Sequence, residues 1–179
     1  PALGMGAGSL DAVIMEVIAQ ESDGLNKPSD IEFQPTTGKA FIMNRKDHSM
    51  VLLHAPDASD PDAVRLGGEE TVGSRHFLAR PSALAFNAEG NWASIHMEDK
   101  LTQGPGATPA DFMGPTLWTG DTNILDAGHA THYDMLHNSP NGAGIASVGG
   151  NAFYVFDGWH ESITYYDFHD DHGLGGADH

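Results

Sequence analysis

Apolar and polar positions alternate with a period of two in three separate stretches of the chain, each starting on a proline and running to a glycine. The first is Pro28-Ser-Asp-Ile-Glu-Phe33, reaching Gly38; the second is Pro81-Ser-Ala-Leu-Ala-Phe86, reaching Gly90; the third is Pro140-Asn-Gly-Ala-Gly-Ile145, reaching Gly150. The third and fifth positions after each proline are apolar: Ile31 and Phe33, Leu84 and Phe86, Ala143 and Ile145. A period of two marks a β-strand with one buried face, because successive side chains leave a strand on opposite sides. Beyond the glycine, Lys39-Ala-Phe-Ile-Met-Asn44 parallels Asn151-Ala-Phe-Tyr-Val-Phe156, which predicts a second strand across a glycine turn. Met50–Leu53 and Ile163–Tyr166 predict third strands, and Ala63–Leu66 a fourth. The apolar run Ala12–Ile18 reads as one more strand ahead of the first unit, with a short helix as the other reading.

Strand, glycine turn, strand, hairpin, strand, repeated along a chain, is the signature of β-propeller blades. The run Pro-Ser-Asp-Ile-x-Phe-x-Pro-x-x-Gly-x-Ala-Phe-x-x-Asn-Arg at residues 28–45 resembles the blade signature of NHL-type β-propellers. His132-Tyr-Asp-Met-Leu-His137-x-Ser-Pro140 and Tyr166-Asp-Phe-His-Asp-Asp-His172-Gly resemble an uncharacterised bacterial branch of that family. The resemblance implies an all-β fold with about three blades: a lead-in and closing strand over 1–24, then blades over 25–75, 76–128 and 129–179, the last incomplete. A three-unit β-sandwich or solenoid is the alternative. Closed rings need at least four blades. Three are half of a six-bladed ring, so a homodimer or companion chain completes the circle, or further blades lie outside this sequence. NHL propellers serve as binding scaffolds, lactonases and lyases, so the fold alone names no activity.

Charge narrows the classes of partner. Against 25 Asp and Glu stand 8 Lys and Arg, a formal net charge of −17 over 179 residues. Nucleic acid is excluded as a partner, since phosphate contacts need cations that are scarce here. No apolar run is long enough for membrane insertion as a helix. The basic residues all precede Leu101, whereas ten of the acids and seven of the 11 histidines follow it. Such a surface attracts metal cations. Cysteine is absent, which leaves imidazole and oxygen as ligands and excludes a thiol nucleophile.

In a propeller the loops entering the innermost strands gather over the central channel. Those loops hold Asp23, His76, and His129, His132, Asp134 and His137, so the fold is expected to bring them round one axis. Two imidazoles and a carboxylate suit copper or zinc. The tail, with His169 and His172 among Asp167, Asp170 and Asp171, is a second collection of ligand types and also admits calcium through oxygen. Each histidine also has an ordinary structural reading, as a loop residue bonded to backbone or a packed strand edge; His48, His54 and the Asp157–His160 hairpin are read that way.

Trp92 with His96, Trp118, and Trp159 beside His160 give the chain a similarity in character to the surface copper-binding proteins of methanotrophs, whose site combines histidines with an oxidised tryptophan. That similarity implies copper. The sequence thus predicts an extracytoplasmic (periplasmic or extracellular) metal-binding propeller, with histidines holding the ion near the channel mouth. Two alternatives stay open. One is a non-enzymatic assembly scaffold whose acidic surface engages a basic partner; the other is a metal-dependent lactonase-like hydrolase or lyase, with Asp134 or Asp23 as base.

Overall fold

The computed structural model describes residues 15–58, 62–68, 76–126 and 131–175. Eleven strands fill three antiparallel sheets. The first sheet is β1 (Pro28–Phe33), β2 (Ala40–Asn44), β3 (Ser49–His54) and β4 (Asp62–Gly67) in that spatial order. The second is β5 (Pro81–Phe86), β6 (Trp92–His96), β7 (Met113–Trp118) and β8 (His132–His137), again in order. The third has β9 (Gly144–Gly149), β10 (Ala152–Asp157) and β11 (Ser162–Asp167). Successive sheets touch through their first strands, β1 against β5 and β5 against β9. Four-stranded meanders stacked about their innermost strands make this a partial β-propeller. Among the described residues no helix is long and apolar enough to cross a membrane.

The alternation read from the sequence does the packing. Phe41, Met43, Met50, Leu52 and Leu66 on the first sheet meet Leu84, Trp92 and Trp118 on the second. The opposite face of the second sheet offers smaller groups, with Ala85, Ala93 and Leu117 packing on Phe153 and Phe168, and Ala83 and Ile95 on Val155. Each of the three predicted glycine turns has a positive φ at its glycine: 73° at Gly38, 91° at Gly90 and 54° at Gly150. That conformation clashes with a Cβ, so glycine is the residue that closes these hairpins without strain.

Two repeated polar contacts join neighbouring blades. Ser29 and Ser82 hold the second position of β1 and β5. Their hydroxyls donate to the next blade, Ser29 to Pro81 O and Ser82 to Gly142 O, each at 2.8 Å. Gln34 Nε2 donates to Gly90 O at 2.9 Å and Gly120 O at 2.7 Å, tying the first blade's turn to two turns of the second. A Cβ at Gly120 would collide with Gly90 O and crowd Gln34 Nε2. Gly120→Ala is therefore expected to cost about 1–3 kcal/mol through forced displacement of a packed turn; the shift of the urea midpoint at constant slope measures it.

The third unit departs from its expected register. Its inner strand starts at Gly144, not at Pro140. Asn138 and Asn141 have φ of 83° and 60°, and a Cβ on Gly142 would run into Ile95. Residues 138–143 are thus a tight crossing from β8 to β9, pressed against β6, and cannot be extended strand. The segment 129–137, expected to lead into the third blade, instead supplies β8, which pairs with β7. The strand expected at 12–18 is not formed over its described part: residues 15–20 carry no regular structure. Residues 12–14 lie outside the described residues.

Candidate functional site

Strand pairing decides where the predicted ligands go. His132, Asp134 and His137 sit on β8, the outermost strand of the second sheet, so they are not over the central axis. Their loop reading fails because Tyr133, Met135 and the residues between them alternate well enough to pair with β7. His137 is absorbed into the scaffold, its Nδ1 lying 3.0 Å from Phe112 O and 2.9 Å from Thr102 Oγ1. Asp134 Oδ1 accepts the Met135 N–H at 2.7 Å. Asp23 belongs to a short turn, Glu21–Asp23, ahead of the first blade, where its Oδ2 accepts the Gln20 N–H at 2.7 Å. The two candidate bases thus belong to different blades. His169 is exposed and has its Nδ1 3.4 Å from Asp167 Oδ2. His129 lies outside the described residues.

Three of the predicted histidines nevertheless gather, on the outer side of the second blade. The His76 ring meets Phe77 edge-on at 4.5 Å, and Phe77 stacks on His132 at 3.8 Å with 20° between planes. His132 is 93% buried; beside it the His172 ring stands at 5.1 Å, turned by 78°. The tail after β11 makes that neighbour. His172 N–H donates to Tyr133 O and Gly175 N–H to His132 O, which lays residues 172–175 alongside β8. His172 Nδ1 lies 2.8 Å from Gly173 O. A carbonyl only accepts, so Nδ1 carries the proton and, in the neutral ring, Nε2 carries the lone pair. Among the described residues no three His, Asp or Glu side chains converge on one point. Pairing of the tail with β8 is long-range, and nothing in local spacing announces it.

At the axis the structure puts carboxylates and aromatic rings. Asp30 and Glu32 of β1, Ala83 and Leu84 of β5, and Tyr154 and Phe156 of β10 border a groove of about 250 Å³. Desolvation first, and then the Asp30 charge, push the Glu32 carboxyl above its usual range. The sequence carried a signal for this pair that was not used: Asp30 and Glu32 alternate with Ile31 and Phe33 and so share the opposite strand face.

The tryptophan–histidine pairs behind the copper resemblance are structural. Trp92 and Trp118 stack at 5.1 Å with 7° between planes inside the core. His96 is completely desolvated, which lowers its pKa to about 4, and its Nε2 donates to Met113 O at 3.0 Å. His160 Nδ1 lies 2.7 Å from the buried Asp157 carboxylate. Asp157 also accepts Ser139 Oγ–H and the N–H groups of Trp159 and His160. Those bonds hold its pKa low against the cost of burial. It is the fixed point of the β10–β11 hairpin.

No protein-family model and no curated protein matches the chain. Among solved structures it is similar to a Bacteroides thetaiotaomicron protein of unknown function, with TM-score 0.50 and 10% identity over 76% of this chain and 34% of that one. It is also similar to Kuenenia stuttgartiensis hydrazine synthase, with TM-score 0.47 and 14% identity over 88% of this chain and 38% of that one. The WD40 repeats of RRP9 give TM-score 0.42 and 12% identity over 83% of this chain and 40% of that one. The chain thus spans well under half the length of each of these structures. At such identities the likeness concerns the fold alone.

Proposed function

We propose that the chain is a propeller-type binding module that holds a divalent transition-metal ion, copper or zinc, between His132 and His172. The observation that carries this reading is the 5.1 Å separation of the two ring centroids. Two imidazoles bound through nitrogen to one tetrahedral ion have their centroids about 5 Å apart, given metal–nitrogen bonds of about 2 Å. The Gly173 carbonyl sets the tautomer of His172, the usual outer-shell device for orienting a metal-binding imidazole. With no thiolate in the chain, the remaining positions would fall to water or oxygen. A place outside the cytoplasm belongs to the same proposal.

Titration of tag-free protein with Zn²⁺ and with Cu²⁺ in a calorimeter tests it. Wild type is expected to bind one equivalent, and His132→Asn with His172→Gln to weaken binding by roughly 10- to 100-fold. Unchanged affinity in the double variant, or binding below about a tenth of an equivalent, removes the metal reading. A second reading, an assembly module, is favoured by one observation: Tyr154, Phe156, Ile163 and Tyr165 stand between 48% and 65% exposed on one face of the third sheet.

A further inference from the structure

That exposed face continues an interface the molecule already uses. By strand alternation Phe153 and Val155 of β10 point at the second sheet, where they are buried, and Tyr154 and Phe156 point away. Ala146 and Val148 of β9 and Ile163 and Tyr165 of β11 share that outward face by the same period. Every one of the six is apolar or aromatic. The equivalent outward face of the second sheet, with Ala83, Ala85, Ala93, Ile95 and Leu117, is covered by the third sheet. The third sheet's outward face is therefore built as a blade-packing face.

The two ends of the molecule are also complementary in their strands. The first and second sheets finish on a fourth strand, β4 or β8, whereas β11 is the outer edge of its sheet among the described residues. Such an edge presents unpaired N–H and C=O groups to any extended chain. At the other end, residues 15–20 have no strand partner among the described residues. Met15 and Val17 there are 86% and 80% exposed. Ala19 and Leu25 anchor the segment on the outward face of the first sheet, against Ala40, Ile42, Val51 and Leu53. One end has a sheet short of a strand; the other has an apolar strand-length segment short of a sheet.

We propose that two copies of the chain associate head to tail. The outward face of each third sheet packs against the first-sheet end of the other copy, and residues 15–18 of one copy pair with the free edge of β11 in the other. Two sets of three sheets then close a six-bladed ring, a heterologous contact that closes instead of propagating. Pairing along β11 is strand addition between chains. Charge complementarity plays no part: each copy carries −17, so association runs against repulsion and strengthens with salt.

Sedimentation equilibrium of the 179-residue chain, over about 1–100 μM and at low and high salt, tests the proposal. The expected species has twice the 19.0 kDa mass of one chain and is favoured by salt. Phe156→Asp with Ile163→Asp alters only exposed positions, so its melting curve should match wild type while the dimer weakens by at least roughly tenfold. Val17→Pro, which removes one ladder donor from the segment, is expected to weaken the dimer without touching either sheet. A monomer at all concentrations and salts overturns the proposal and leaves the face to a different protein. A dimer indifferent to the two aspartates overturns the docking face. A dimer sensitive to them but indifferent to Val17→Pro overturns the strand exchange.

Discussion

Trp92→Ala is expected to lower the free energy of unfolding by about 3–5 kcal/mol, the usual range for emptying a large aromatic site in a packed core. Trp92 is fully buried between the first two blades. Its ring stacks on Trp118 at 5.1 Å and meets Phe41 edge-on at 6.2 Å, so one truncation removes contacts on both sides of the interface. Its Nε1–H donates to Thr119 O at 2.9 Å, and the alanine would leave that buried carbonyl short of a partner. Surrounding strands are held in antiparallel ladders and cannot collapse into the space, which puts the effect toward the upper end. Domains of this size have about 5–15 kcal/mol in total, so the variant should sit near the limit of stability at 25 °C. Urea unfolding followed by far-ultraviolet circular dichroism measures the loss. A decrease below about 1 kcal/mol would mean that the two blades do not share this core.

Acidification from pH 6.5 to 4 is expected to remove about 3 kcal/mol of stability through His96 alone, at 1.36 kcal/mol per unit of pKa shift. Desolvation lowers the His96 pKa from 6.5 to about 4 in the folded chain, against the partial relief of its bond to Met113 O. Above pH 6.5 the ring is neutral in both states and the contribution is complete. As pH falls, the unfolded chain takes up the proton first, so stability declines until the folded ring titrates near pH 4. Below that, Asp47 and Asp157 take over. Hydrogen bonds outweigh the opposing desolvation and hold both carboxyls below 3.8, so their stabilisation is lost only as pH falls through still lower values. Repulsion among the 25 acids acts in the opposite sense, easing as they neutralise. His96→Gln keeps a donor for Met113 O and removes the titration. The difference between the wild-type and variant curves from pH 7 to 4 isolates the histidine, and parallel curves would show that His96 is not buried neutral.

The blades were readable because their determinants are local. Pro28 and Pro81 open strands, Gly38, Gly90 and Gly150 close turns, and alternating apolar residues set which face is buried. The third copy misled at Pro140, where the same Pro-to-Gly spacing spans a crossing loop. Left-handed conformations at Asn138 and Asn141 and the pressure of Gly142 on β6 are properties of the assembled sheets, and a proline alone does not signal them. Placing His132 and His137 at the channel mouth assumed that each blade starts where its lead-in does. In the fold the fourth strand of the second blade takes those residues to its outer edge.

The histidine pair shows the same division at the scale of a site. Residue types, the absence of cysteine and the lack of basic residues after Leu101 are written in the chain, and they limit any metal site to imidazole and oxygen. Which imidazoles meet is a matter of distant pairing: His172 reaches His132 only because the tail lies along β8, forty residues away in sequence. The net charge of −17 and the alternation of the strands follow from composition and order. The open apolar face of the third sheet, the uncovered edge of β11 and the burial that neutralises His96 follow from stacking of sheets, because burial and desolvation belong to neighbours that only the folded chain supplies.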